Sequence, residues 1–422
     1  MDGPASNRPG DATSFRLGTW LWPLVATLAI QTTTAFLSRL VPTIAPVLTA
    51  EFGMAPSAIG HLSAVSTVGS IIFLVAGAPL LRRGGPIRAL QIGLAFGAIG
   101  AALLAIPFIA IPAIASLLIG LGYGPSPSAG SEVLQRYAPK RHRSLVFSIK
   151  QAGVPLGGVL AGLILPALVE AFGWHSTLIF SVAAALTTIA AVQLLRERVD
   201  VDRDRRQRLD VGTFFAIDNL LRPLRALAAV PTLPPLMLVG ACFALNQGVW
   251  MAFLVTIGVT DLGLSLPAAG AVYAVMQVTG IFGRIVLGWV SDRLGSGIPV
   301  LRCVAVASAA TSAVLSFATA EWPYWMLCAL AGVAGITVSS WNGVQLSEIA
   351  RLVPRSLIGE TTAGATILIF LGYVVGPAGF ALLVAATGRF DIGYLTVAAV
   401  SLLAFGALLR FPPRPPAPAG DD

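Results

Sequence analysis

Twelve long apolar runs, separated by short polar stretches, form the hydropathy pattern of this 422-residue chain. A helix that crosses a hydrocarbon core of about 30 Å needs roughly 20 predominantly apolar residues, and each run supplies them. The pattern predicts an all-α integral membrane protein with 12 transmembrane helices. They begin near Trp20, Ser57, Ala89, Ile109, Leu145, Trp174, Leu233, Pro267, Pro299, Trp322, Leu357 and Ile392.

One polar stretch recurs at half the chain length. Residues Gly288 to Gly295 have a diverged copy at Gly77 to Gly84, and each copy stands between two apolar runs. Such a repeat is typical of a duplicated membrane bundle and predicts two pseudo-symmetric six-helix bundles. We place these at residues 19–195 and 233–411, with an N-terminal tail at 1–18, a central linker at 196–232 and a C-terminal tail at 412–422.

Basic side chains concentrate in alternate loops. Lys and Arg near helix ends stay preferentially on the cytoplasmic side. One set of loops carries most of the arginines, including Arg82, Arg141 and those of the linker, whereas the opposite set carries little beyond Arg389. We therefore expect both termini and the linker to be cytoplasmic. The same asymmetry explains the net charge of +8 without nucleic-acid binding.

Composition agrees with a membrane protein and disfavours several functions. The chain is 56% hydrophobic and 11% charged, with a mean hydropathy of +0.83. Its three cysteines lack paired spacing, and we find no phosphate-binding glycine loop, zinc-binding His pair or nucleophilic serine elbow. We expect no enzyme activity, no cofactor and no metal. We also expect a monomer in a lipid bilayer, as a multi-pass protein of a bacterial inner membrane.

Three basic residues lie inside apolar runs: Arg39, Lys150 and Arg284. A charge at mid-membrane costs about 2.5 to 3.5 kcal/mol on insertion scales, so each should face a wet cavity or a partner. No Asp or Glu stands in the middle of a run, so such a cavity would attract anions and repel cations. The alternatives are an outer ion pair or snorkelling for Arg39, bracing of the next loop for Arg284, and a cytoplasmic contact for Lys150.

Polar and aromatic residues offer walls for this cavity. Gln31 shares a stripe with Thr34, Ser38 and Arg39 at near-helical spacing. The other candidates for lining the cavity are Tyr123, Asn246, Gln247, Trp250, Trp341 and Asn342. Interhelical hydrogen bonding or packing is the alternative role for each.

The second copy of the repeated stretch carries a family resemblance. Gly288, Asp292 and Arg293 fit the loop motif Gly-x-x-x-Asp-Arg-x-Gly, and the chain resembles the major facilitator superfamily over nearly its whole length. In that family the Asp and Arg of the motif help to hold the closed cytoplasmic side. The resemblance therefore implies a gating role for these residues.

The first copy departs from the family pattern. It keeps Gly77, Arg82 and Gly84, but Leu81 stands where the acid would be. We infer an asymmetric inner gate, to which Asp292 and its neighbouring arginine contribute more than the first copy does.

Two Gly-Pro stretches occupy equivalent positions in the halves. One contains Pro155 in the fifth run, and the other contains Gly376 and Pro377 in the eleventh. They resemble a loose motif that is often seen in exporters of the family, which implies a role in gating. Close packing and bending of helices is the alternative.

Two short matches concern the candidate arginines. The stretch from Gly283 to Arg293 resembles the eighth helix of oxalate/formate antiporters and bacterial monocarboxylate transporters, whose arginine meets the substrate carboxylate. This implies the same role for Arg284. The stretch from Ser38 to Pro42 is similar to the neighbourhood of an arginine in cyanate-type anion transporters.

Together these features predict a secondary transporter of a small, monocarboxylate-like organic anion that works by alternating access between two halves. Proton coupling and exchange both remain open. One alternative is a proton-linked exporter of a neutral or amphiphilic compound, which the Gly-Pro stretches suggest. A membrane sensor that does not transport is the other, and the sequence offers no soluble domain for it.

Overall fold

The structure, a computed structural model, describes residues 18–138, 143–200, 203–204, 206–207, 209–214, 217–354 and 357–411. Within these ranges the chain is helical and holds no strand. The predicted tails, apart from residue 18, and part of the predicted linker lie outside the described residues.

The helices divide into two halves joined by the described part of the linker. The first half contains α1 (Gly18–Thr43), α2 (Ala45–Glu51), α3 (Ala58–Ala76), α4 (Ala78–Gly84), α5 (Pro86–Leu103), α6 (Ile111–Tyr123), α7 (Pro125–Tyr137), α8 (Arg143–Gln151), α9 (Gly153–Phe172) and α10 (His175–Val199). The linker contains α11 (Val211–Phe214) and α12 (Ile217–Ala228). The second half contains α13 (Leu233–Thr260), α14 (Leu266–Arg293), α15 (Ile298–Ser316), α16 (Tyr324–Thr337), α17 (Asn342–Leu352), α18 (Ile358–Thr387) and α19 (Phe390–Leu408).

Eleven helical stretches in the described ranges are long and apolar enough to cross a membrane. They correspond to eleven of the twelve predicted runs, and their helices begin within three residues of the predicted starts. The prediction of an all-helical, multi-pass membrane protein is therefore confirmed.

The fourth predicted run is the one that does not form an apolar span. It folds as two helices, α6 and α7, that meet at Gly124. α7 contains two prolines together with Glu132, Gln135 and Arg136, so this part of the run is polar. The two helices still pack along the first half, against α3, α5 and α1. The twelfth crossing stays a prediction, which α6 and α7 would make together.

The linker defines one side of the molecule, which we call the linker side. There Arg222 of α12 pairs with Glu360 at the start of α18, with a nitrogen–oxygen distance of 2.7 Å. On the same side, Arg302 of α15 donates to the carbonyl of Leu408, at 3.0 Å, where α19 ends. The start of α1 packs there too, because Leu24 clusters with residues at the end of α7 and in α8. Both described chain ends therefore lie on the linker side.

The two halves meet on the opposite side, which we call the far side. The main contacts between halves are α9 with α14 and α3 with α18. A methyl group on Gly162 would lie 2.7 Å from the Gly270 carbonyl oxygen, so these backbones touch. By contrast, the principal contacts of α7, α8 and α17 on the linker side are with helices of their own half. The far side is therefore closed by direct contacts between the halves, whereas these helices of the linker side pack mainly within their own half.

Buried carboxylates cap the third helix of each half on the linker side. Asp200 accepts hydrogen bonds from the backbone N–H groups of Ile87, at 2.9 Å, and Arg88, at 3.0 Å, at the start of α5. Glu348 accepts one from the Gly297 N–H, at 2.8 Å, at the start of α15. Carboxylates stabilise helix N-termini because they satisfy free N–H groups and oppose the helix dipole. The two caps come from different elements, the end of α10 and α17.

Gly85 makes the first of these caps possible. Its φ of +84° is a left-handed conformation that side chains avoid, and a Cβ there would collide with the Asp200 carboxyl group. The tight approach buries Asp200 at 2% exposure.

We expect the Asp200 cap to make stability depend on pH. Burial raises the pKa of the Asp200 carboxyl group above its ordinary value, against the opposing effect of the Ile87 and Arg88 N–H groups. A raised folded-state pKa means that the stabilising contribution is complete at low pH and is lost as pH rises through the folded pKa. Wild type should therefore lose thermal stability relative to Asp200→Asn as the pH rises above about 4, which is the ordinary pKa of an aspartate side chain.

Melting temperatures of both proteins in detergent, measured across that pH range, check this expectation. Asp200→Ala should be less stable than both proteins, by about 0.5–2 kcal/mol, because it loses the cap. A wild-type protein that gains stability over Asp200→Asn with rising pH would contradict the expected sign.

Candidate functional site

Two arginines from opposite halves lie at the centre of the bundle. Arg39 stands in α1 and Arg284 in α14, and both are half-buried. The Arg284 Nη2 donates weakly to the Ser339 carbonyl, at 3.4 Å, and its Nε is buried without a partner. In the described part of the chain neither guanidinium lies within 4.0 Å of a carboxylate. Among the described residues, therefore, no carboxylate neutralises their positive charges.

The two arginines act on the same tyrosines. Both are within electrostatic range of the hydroxyl groups of Tyr123 in α6 and Tyr373 in α18, and of each other. Arg39 is also within electrostatic range of the Tyr273 hydroxyl in α14. These side chains come from both halves and meet in one region between them, which we call the shared space.

Amide side chains complete the wall of this space. Gln31 lies beside the Tyr123 hydroxyl, and Gln277 lies beside that of Tyr273. The Nε2 atoms of both glutamines are buried without a hydrogen-bond partner. They are donors that a bound acceptor would satisfy.

Aromatic residues of the second half are fixed by a third amide. The Gln247 Oε1 accepts hydrogen bonds from Trp341 Nε1, at 3.0 Å, and from the Tyr373 hydroxyl, at 2.7 Å. Asn342 lies beside the Tyr373 hydroxyl, and its Oδ1 is buried without a partner. The network holds the Tyr373 ring rigidly at the edge of the shared space.

The predicted residues Asn246 and Trp250 are placed inside the second half. Trp250 Nε1 donates to Ser312 at 3.0 Å, Ser312 donates to Asn246 Oδ1 at 3.1 Å, and Asn246 Nδ2 donates to Ser401 at 2.9 Å. This chain of bonds joins α13 to α15 and α19. The amide and indole groups are fully occupied in interhelical bonding, so we leave both residues out of the shared space.

Lys150 is also placed away from the arginines. It lies in α8 at 1% exposure, and its Nζ donates to the Ser126 carbonyl oxygen at 3.0 Å. The lysine therefore does not reach the surface, which was the alternative to a cavity position.

The second copy of the loop motif ties helix ends together on the linker side. Asp292 pairs with Arg351 at the end of α17, at 3.1 Å. Arg351 also approaches Glu348, at 3.8 Å, which caps α15. Arg293 stacks on the Trp289 ring, with its guanidinium carbon 4.4 Å from the ring centroid. Gly288 has open space around it.

The first copy makes other contacts. The Arg82 carbonyl accepts a hydrogen bond from the Asp204 N–H of the linker, at 2.9 Å. Gly77 packs against the Phe73 ring, and a methyl on Gly84 would lie 3.4 Å from Arg88. No acid stands at Leu81, and Asp200 supplies the carboxylate for this half instead.

The Gly-Pro stretches lie at tight helix contacts. A methyl group on Gly376 would lie 2.5 Å from the Leu245 carbonyl of α13, and the Pro377 carbonyl touches Gly60 of α3. Pro155 is buried near the start of α9. Pro377 therefore belongs to the contact that closes the far side.

Sequence reasoning overlooked Tyr273, Gln277 and Tyr373. The first two share a helix face with Arg284, since the spacings of four and seven residues return to one side of a helix. That periodicity could have revealed them. Tyr373 stands beside glycines and a proline, which drew attention to packing.

Comparison with protein families identifies the scaffold. The family described as Major Facilitator Superfamily matches residues 24–348, which is more than half of the chain. The chain belongs to the Major Facilitator Superfamily. The resemblance seen in the loop motif is thereby confirmed, and the family points to membrane transport and not to catalysis.

Curated relatives in this superfamily are similar over part of the chain. An uncharacterised transporter of Mycobacterium tuberculosis is 27% identical over 60% of this chain and 56% of its own length. A 4-hydroxybenzoate transporter of Pseudomonas putida is 25% identical over 59% of this chain and 61% of its own length. The chain thus matches less than two thirds of the length of these relatives.

A solved structure extends the similarity to almost the whole fold. A transporter of the peptide-transporter (POT) family, in complex with 5-aminolevulinic acid, superposes with a TM-score of 0.75 at 13% identity, over 92% of this chain and 95% of its own. This likeness concerns the superfamily fold alone.

Proposed function

We propose that this transporter carries a small organic anion with one carboxylate and an aromatic ring, by alternating access of the two halves. The observation that carries the proposal is the convergence of Arg39 and Arg284, from opposite halves, on the same tyrosine hydroxyls, with no carboxylate partner among the described residues. An anion bound there would contact both halves at once.

Electrostatics favours a carboxylate as the bound group. Arginine stays charged in proteins, and its planar fork matches the two oxygens of a carboxylate. Two such half-buried groups repel each other and have no counter-charge among the described residues, so an anion between them removes both penalties. A cation would add to the repulsion.

The tyrosines favour an aromatic body on the substrate. Tyr123, Tyr273 and Tyr373 lie around the shared space, and the last of them donates to Gln247, which also accepts from Trp341. Aromatic rings pack well against one another, and the tyrosine hydroxyls can bond polar groups on the ring. The related 4-hydroxybenzoate transporter supports the same substrate class.

We further propose that the linker side is cytoplasmic, as the basic loops predict, and that the structure corresponds to an inward-open state. The substrate would leave or enter through the opening on that side. In the opposite state the contacts α9–α14 and α3–α18 would separate.

A ligand series on purified protein tests the proposed substrate class. 4-Hydroxybenzoate at about 100 times its dissociation constant should stabilise the protein by about 2.7 kcal/mol, seen as a rise in melting temperature. The neutral analogue 4-hydroxybenzyl alcohol should produce no rise, because it lacks the carboxylate. Arg39→Gln should lose the response to the acid.

Arg389→Gln is the matched control for that substitution. Arg389 is an exposed arginine that already pairs with Asp391 on the far side. Arg389→Gln should show the same rise in melting temperature with 4-hydroxybenzoate as wild type. An equal rise with the alcohol, or a larger one with benzyltrimethylammonium, would overturn the proposal.

A further inference from the structure

Lys150 is a buried cation that the proposed anion site does not use. Its side chain is 1% exposed within the span Val146–Phe172, and in the described part of the chain its ammonium has one hydrogen bond, to the Ser126 carbonyl. An ammonium has three donors, so two have no acceptor among the described residues. A buried charge with so few partners indicates a function other than stability.

No carboxylate in the described residues neutralises Lys150. Its helix packs against α1, α7 and α9. The charged and titratable groups on these helices are Arg39 of α1, Glu132, Arg136 and Tyr137 of α7, and Glu170 of α9. None of those with a described side chain forms an ion pair with Lys150, and the Arg136 side chain lies outside the described part.

Ser126 lies between Lys150 and the anion site, because its backbone carbonyl accepts from the Lys150 ammonium and its side chain bonds Gln31. The Ser126 hydroxyl donates to Gln31 Oε1 at 2.9 Å, and Gln31 lies beside the Tyr123 hydroxyl. Thr34 donates to the same serine at 3.3 Å. Ser126 lies two residues after Gly124, where α6 meets α7, so the Lys150 ammonium is bonded to the first turn of α7. A change at the ammonium can therefore reach both the anion site and the helices of the linker side.

We propose that Lys150 is the proton-coupling residue of this transporter, taking up a proton when an anion binds and releasing it when the anion leaves. The inference rests on the proposed anion site. On the far side, a proton from water forms the third N–H bond of a neutral amine. On the linker side, that bond breaks, the nitrogen keeps the electron pair, and the proton goes to water.

The chemistry of the three basic groups explains why the role falls to Lys150. Arginine does not lose its proton in proteins, whereas a buried lysine can. The anion's negative charge attracts the ammonium, so a bound anion strengthens proton binding. By linkage, a bound proton strengthens anion binding by the same factor. Anion and proton would then move in the same direction.

The test separates coupled transport from exchange in proteoliposomes. Radiolabelled 4-hydroxybenzoate is the probe. Wild type should accumulate it against its gradient when the pH is lower outside, and should also exchange it without a pH gradient. Lys150→Met and Lys150→Arg should lose at least about 90% of the gradient-driven accumulation while they still exchange the probe, because neither side chain can cycle a proton. Gln151→Met, at the exposed neighbour, is the matched control.

A binding measurement tests the same idea without transport. Calorimetry in buffers of different ionisation enthalpy should show about one proton taken up per anion by wild type and about none by Lys150→Met. Proton uptake that persists in Lys150→Met, or accumulation within twofold of wild type, overturns the coupling role. Equal loss of accumulation and exchange, with a lowered melting temperature, assigns Lys150 a structural role and overturns it too.

The outcome for wild type distinguishes the two proposals. If wild type neither binds nor exchanges the probe, the proposed function fails. If wild type exchanges the probe but does not accumulate it in response to the pH gradient, only the coupling role fails.

Discussion

Uptake of 4-hydroxybenzoate should fall about 100-fold when Arg284 is replaced by glutamine. A hydrogen bond to a charged group contributes about 1.5–3 kcal/mol, and each 1.4 kcal/mol corresponds to a factor of ten in the dissociation constant. Arg284 is placed to make such bonds because its Nε is buried without a partner and no described carboxylate neutralises it. Glutamine is polar but carries neither the charge nor the fork.

Arg284→Lys refines this prediction. Lysine keeps the positive charge but cannot bond both carboxylate oxygens in one plane, so we expect an intermediate loss of about tenfold. Dissociation constants from calorimetry and initial uptake rates measure both variants, with Arg389→Gln as the control. If Arg284 only braced its neighbours, the ligand-free protein would melt earlier while the dissociation constant stayed within threefold of wild type.

The second large effect is expected at the far-side contact. Replacing Gly270 with alanine should hold α9 and α14 apart and disfavour the conformation described above. The new methyl group would collide with the Gly162 carbonyl and lie 2.6 Å from Pro166 Cγ. Backbone atoms cannot turn away, and overpacking of this kind costs about 1–3 kcal/mol. The closed far side should therefore lose roughly 5- to 150-fold in population relative to the open one.

Distance measurements between spin labels check this shift. Labels at Glu170 and Glu321, exposed positions near the far side of each half, should move apart in Gly270→Ala. Transport should slow as well, because closing the far side becomes unfavourable. Gly379→Ala is the control, since a methyl group there meets nothing within 4 Å. An unchanged distance distribution in Gly270→Ala would show that this contact does not limit closure.

The two halves differ in the element that supplies the carboxylate cap of their third helix. The loop motif lacks its acid at Leu81, yet the start of α5 is still capped, because Asp200 reaches it from the end of α10. In the second half Asp292 is tied through Arg351 to Glu348, which provides the cap. Each half therefore keeps a carboxylate at its third helix, and the gating role of the two loop-motif copies remains a prediction.

Hydropathy alone located most of the helices. The starts of α13 and α14 agree with the predicted ones to within one residue. This succeeds because the cost of exposing polar backbone to lipid is local and depends on a window of about 20 residues. Hydropathy predicted the fourth run less well, because α7 is polar and is held by packing against its neighbours and not by an apolar composition.

The amino-acid sequence was enough to establish the class of protein, most helix starts, the family motif and which basic residues lie in apolar runs. The directions in which those residues point became known from the tertiary structure. It brought Arg39 and Arg284 to one set of tyrosines, turned Asn246 and Trp250 into the second half, and attached Lys150 to Ser126. The side to which a helix residue points depends on how the helix is rotated about its axis against neighbours that are distant along the chain. One sequence contains no signal for those pairings.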